Sequence, residues 1–103
     1  MSFLFGPKGK HIVASGNISF DSEGGATTKS GNAFFGPHGD TVTASGNLLF
    51  TGSGAVTHSG NTWFFGNKTY TRSGSTLFGP GGSWSGVETD DDVIRIILHD
   101  NGI

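Results

Sequence analysis

The chain has no cysteine, three prolines, one methionine and one tyrosine in 103 residues, and charged residues make up only 14% of it. Without cysteine it can build neither a disulfide framework nor a thiolate metal site, and nothing in its spacing points to a redox compartment. Six Lys and Arg residues stand singly, so no basic stripe exists to neutralise a phosphate backbone, and nucleic acid is not an expected partner. No apolar run approaches the roughly twenty residues of a membrane helix. Met1 to Lys10 lacks the basic start and apolar core of a secretory signal, so it does not read as one; the sequence assigns no compartment, with a virion and the cytoplasm as candidates. Nor is there a Gly-x-Ser-x-Gly elbow or a phosphate loop, so no catalytic residue, cofactor or small-molecule substrate is expected. Residues 1–86 also lack the helical spacing of apolar positions, and their glycines recur too often for a helix to survive.

What is present is a repeat. Ser-Gly-Asn begins at Ser15, Ser30, Ser45 and Ser59, with Ser-Gly-Ser at Ser73. Phenylalanine follows at Phe20, Phe35, Phe50, Phe64 and Phe78, giving a period of about fifteen residues. Gly6-Pro7-Lys8-Gly9, Gly36-Pro37-His38-Gly39 and Gly79-Pro80-Gly81-Gly82 supply a further turn marker. Glycine provides positive φ and proline presets the first turn position, so each period contains two turns. Between the turns lie short runs rich in Thr, Val, Ile and aromatics, as a pleated sheet requires. Ten such strands are predicted between Lys10 and Phe78, each of four or five residues, after a leading segment over residues 1–10. The expected fold is therefore all-β.

Two apolar columns run through the repeat. Ile18/Phe20, Ala33/Phe35, Leu48/Phe50, Thr62/Phe64 and Thr76/Phe78 form the expected core face. Ser19, Phe34, Leu49, Trp63 and Leu77 alternate with it and should point the other way. That stripe is either a docking surface, with Phe34, Leu49, Trp63 and Leu77 as interface candidates, or the second inner face of a sandwich-like core. Stacking of like residues favours a two-sided β-solenoid, with ladders of Phe20, Phe35, Phe50, Phe64 and Phe78 and of Asn17, Asn32, Asn47 and Asn61 about 4.8 Å apart. An antiparallel meander of hairpins and an intertwined trimeric β-structure are the alternatives, the short Gly-containing loops suiting hairpins.

The sequence divides into a repeat domain over 1–86 and a capping segment over 87–103. Ile94, Ile96 and Leu98 alternate with Arg95, Ile97 and His99, and four β-branched residues in six favour a strand that caps the stack. The rival is a short helix capped by Asp90, with acids in its first turn and Gly102 beyond its end.

Residues 59–66 and 69–82 resemble the short tandem repeats of bacterial and phage proteins built on a Ser-Gly-Asn-Thr-x-Tyr/Phe-Gly-x-x-Gly theme. The resemblance covers roughly residues 5–82, carries no activity, and implies a phage or bacterial source. Ser59 to Gly74 is loosely similar to the tip proteins that sharpen phage and secretion-system spikes, without their Pro-Ala-Ala-Arg signature or metal-binding cysteine. Thr41-Val42-Thr43 and Thr69-Tyr70-Thr71 resemble the Thr-x-Thr arrays of insect ice-binding solenoids. His11, His38, His58 and His99 fall in different columns, and Asp90 to Asp92 read as a solvated acidic turn, so no metal site is expected. Together these features predict a non-enzymatic structural or adhesive part, such as a virion appendage, decoration or tail component, with a protein partner or self-association. An ice-binding solenoid and a metal-bearing spike tip are the alternatives.

Overall fold

The computed structural model describes residues 1–103 in full. Twelve short strands, β1 Ser2–Phe5, β2 His11–Ser15, β3 Ile18–Asp21, β4 Ala26–Ser30, β5 Ala33–Phe35, β6 Thr41–Ser45, β7 Leu48–Thr51, β8 Gly54–Ser59, β9 Thr62–Phe65, β10 Lys68–Ser73, β11 Thr76–Gly79 and β12 Gly82–Ser85, precede one helix, α1 Asp90–Asp100. Each strand pairs antiparallel with the next in sequence, and β1 pairs with β12 through Phe5 and Ser85. The sheet thus closes into a barrel, which overturns the expected open β-solenoid. The two strands that complete the ring, β1 and β12, lie outside the ten predicted from the repeat.

The Ser-Gly-Asn marker explains why hairpins win over stacked coils. Gly16, Gly31, Gly46, Gly60 and Gly74 take φ between +60° and +62° as the first residue of two-residue turns, and no asparagine has positive φ. That is the type II′ arrangement, whose twist matches antiparallel strands and leaves no room for a solenoid corner. The carbonyls of Asn17, Asn32, Asn47 and Asn61 then accept hydrogen bonds from the N–H groups of Lys29, Ala44, His58 and Arg72 at 2.7–2.8 Å. The asparagines therefore tie each hairpin to the following one and form no stacked ladder.

Register sets the barrel's size. On β4, Ala26 faces Phe20 and Thr28 faces Phe35, an advance of two residues. The same advance separates Thr41 from Thr43, Ala55 from Thr57, Thr69 from Thr71, Ser83 from Ser85 and His11 from Val13. Six such steps give a shear of twelve, equal to the strand number, which tilts the strands by about 36° as in the smaller barrels that share this ratio. Eight strands enclose just enough space for their own side chains. Twelve enclose more, and α1 fills it.

α1 is where the capping segment departs from the expected strand. Val93, Ile94, Ile96, Ile97 and Leu98 are all buried, on every side of the helix, because the barrel wall surrounds it. β-Branched residues lower helix propensity only slightly, and burial outweighs the difference. The cap is Thr89 rather than Asp90: its hydroxyl accepts from the Asp92 N–H, and the Asp92 carboxylate accepts from the N–H groups of Glu88 and Thr89 at 2.9 and 3.2 Å. An eleven-residue helix is about 16 Å long, which fits the 28 × 27 × 21 Å molecule.

Side-chain parity is the reverse of that expected. Leu4, Ile12, Phe34, Val42, Leu49, Val56, Trp63, Tyr70, Leu77 and Trp84 point inward and form one cluster with the apolar face of α1. The column holding Phe20, Phe35, Phe50, Phe64 and Phe78, expected as the core, points outward. Two glycines make room for inward rings: a Cβ on Gly6 would stand 2.5 Å from the Trp84 ring, and one on Gly79 2.8 Å from the Tyr70 ring.

Phe34 and Phe35 are adjacent residues with opposite fates, 1% and 46% exposed. Phe34→Ala should lower the unfolding free energy by about 3–5 kcal/mol, and Phe35→Ala by under about 1 kcal/mol, measured by chemical denaturation. Tyr70 offers a second check. Burial first, and its hydrogen bond to Asp100 second, push its phenol well above the ordinary value, which is about 10. Raised in the fold, the group contributes stability that is intact below about pH 10 and is lost as pH rises further. Because it is the only tyrosine, the tyrosinate absorbance of the folded chain should stay flat to above that pH, while the chain in denaturant titrates normally.

Candidate functional site

Two surfaces stand out, the barrel's outer wall and a cleft at one rim. The outer wall follows from the pleat. Outward positions are filled by Phe, Thr, Ser, Ala, Val, Ile and Leu, with His11 the sole titratable side chain among them. Phe5, Phe20, Phe35, Phe50, Phe64 and Phe78 occur on alternate strands, joined by Phe3, and each is between 45% and 59% exposed. Each of the six sits between two neighbours such as Thr28 and Thr41 beside Phe35, or Thr57 and Thr69 beside Phe64. The result is a closed belt of half-exposed rings.

The charges missing from the wall are found at the two ends of the lumen. At the end bearing the Ser-Gly-Asn turns, Lys29 meets Asp91 at 2.7 Å and Arg72 meets Asp90 at 3.3 Å. There the His58 imidazole stacks on the Trp63 ring, 4.1 Å between centroids. Just inside, Arg95 and Asp92 pair at 3.8 Å with both side chains buried, and Arg95 lies 6.0 Å from the Phe34 ring. The acidic turn Asp90 to Asp92 is therefore the helix N-terminus held by inward basic residues, a favourable placement for the helix dipole. At the opposite end the Tyr70 hydroxyl donates to Asp100 at 2.7 Å and accepts from Asn101 at 3.1 Å, and Lys68 donates to Asn101.

The rim cleft lies at this second end. It has a volume of about 310 Å³ and is lined by Asp21, Glu23, His38 and His99 with the backbone of Gly24, Gly25 and Gly102. His99, in the last turn of α1, stands between two carboxylates: Nδ1 is 3.5 Å from Asp21 and Nε2 is 3.6 Å from Glu23. The Trp84 ring packs edge-on against it at 6.0 Å. Asp21 is fixed in turn by the N–H groups of Glu23 and Gly25, at 2.8 and 3.0 Å.

The interface candidates Phe34, Leu49, Trp63 and Leu77 are brought together, but inside the barrel and against α1, so they form core and no docking surface. Phe20, Phe35, Phe50, Phe64 and Phe78, assigned to the core, make the exposed belt instead. The threonines of Thr41/Thr43 and Thr69/Thr71 do face outward, yet strands bearing phenylalanine separate them around a curved wall, which denies them the flat array of an ice-binding face. The rim cleft was missed because His99 is far in sequence from the neighbouring Asp21 and Glu23, and only the returning helix joins them. No family model matches the chain, and neither a curated protein nor a solved structure shows significant similarity to it.

Proposed function

We propose that the chain is a non-enzymatic structural module, of the kind expected in a virion appendage or decoration, that packs side by side with further copies of itself through its outer wall. The observation that carries this reading is the belt: six near-equivalent faces around one barrel, each with a half-exposed phenylalanine and no formal charge. A closed belt of large half-exposed apolar side chains supports reading this wall as an interface. Burying it releases roughly 25 cal/mol per Å², and a wall without charges sets no electrostatic penalty against a like partner.

The choice of a second copy follows from geometry. A single partner on a convex wall covers only a few of the six rings, and those left over offer the same surface to the next copy. A lateral array satisfies them all, as six-fold packing of cylinders does. The polar ends, where Lys8 lies in the 3₁₀ turn Pro7–Gly9 and Glu23 and Asp40 lie in loops, stay in water and confine growth to the plane of the belt.

Light scattering over a range of concentrations should show mass rising above the 10.6 kDa monomer. The triple variant Phe35→Ser, Phe50→Ser, Phe64→Ser should return it to the monomer with an unchanged far-ultraviolet circular dichroism spectrum. A parent chain that stays monomeric at the highest concentration reached would remove this reading, as would undiminished association of the triple variant.

A further inference from the structure

We infer that the rim cleft is a binding site for one divalent transition-metal ion of the zinc class, held by His99 Nε2 and the Glu23 carboxylate. The first observation is an orphan atom. The His99 side chain lines the cleft yet is only 9% exposed, and its buried Nε2 has no hydrogen-bond partner. A buried polar atom without a partner is costly and is uncommon in native folds.

Geometry supplies the second. Two donors bound at about 2.0–2.2 Å to one tetrahedral zinc stand about 3.3–3.6 Å apart, and Nε2 lies 3.6 Å from the nearer Glu23 oxygen. Asp21 completes the arrangement from behind. Facing Nδ1 at 3.5 Å, and itself pinned by two backbone N–H groups, it favours the tautomer with the proton on Nδ1. That leaves the Nε2 lone pair on the side of Glu23, the carboxylate–imidazole–metal order common in metalloproteins.

No group of three or more His, Asp or Glu side chains converges. The site is therefore open, with water filling the remaining positions, and it binds less tightly than a closed structural zinc centre. Asp21 acts as a positioning residue, and His99 and Glu23 as ligands. Because α1 reaches the rim only when it is seated in the lumen, the ion would join the helix end to the β3–β4 loop.

Calorimetric titration of the full chain with zinc alone should show saturable binding of one ion, accompanied by a shift of the His99 ring protons in NMR spectra. Glu23→Gln and His99→Gln should abolish this binding. Asp21→Asn should weaken it by about ten- to a hundred-fold, and His11→Gln, on the outer wall, should leave it unchanged. Glu23 is 68% exposed in a loop, so its substitution tests the site even if the His99 variant does not fold. Absence of saturable binding, or equal affinity in the parent and Glu23→Gln chains, would overturn the proposal.

Discussion

Closure without its own filling is the constraint on which this molecule depends. A sheet of twelve strands with equal shear encloses a lumen wider than its inward side chains can occupy, and an empty apolar lumen forfeits dispersion contacts on every lining residue. α1 removes that cost. Val93, Ile94, Ile96, Ile97 and Leu98 are buried against the surrounding wall, and the inward residues packed with them include the large Trp63, Tyr70, Leu77 and Trp84. Even the glycines at positions 6 and 79 belong to this fit, since each yields the volume of a side chain to an aromatic ring.

The same constraint sorts the charges. In most small proteins they cover the outside and the apolar residues fill the inside. Here the strands turn a neutral face outward and send Lys29, His58 and Arg72 inward, to the place where the helix presents Asp90 and Asp91. Helix and barrel are therefore matched in polarity at both ends and in apolar character between them. The buried Asp92–Arg95 pair is tolerable because Asp92 also completes the cap, its carboxylate accepting from the Glu88 and Thr89 N–H groups while Arg95 stands 3.8 Å away.

Much of this could be read in the sequence. The period, the turns at Ser-Gly-Asn and the strand positions follow from glycine placement and Thr-rich runs. Inside and outside could not be told apart, because two apolar columns alternate and phenylalanine fills the outer one even more often than the inner. A better signal was the column Ala14, Lys29, Ala44, His58 and Arg72, whose Lys29 and Arg72 call for acids and find Asp91 and Asp90 in the C-terminal segment. The helix itself was marked by Thr89 and Asp92 at capping-box spacing, against the pull of β-branched residues. The rim cleft had no local signal, since its parts meet only after barrel and helix have combined.

The order of contacts along the chain also governs how the molecule assembles in time. Every strand except β1 and β12 finds its partners within a hairpin's reach, so the ribbon can form quickly and piecewise from local pairings. Two events are distant: the seam between β1 and β12, and entry of α1, which follows the last strand and must be enclosed as the ring shuts. Until then both sides of the ribbon expose aromatic rings to water. The period between ribbon and barrel is thus the stage at which this chain is open to aggregation, and the rate of closing around the helix sets how long that stage lasts.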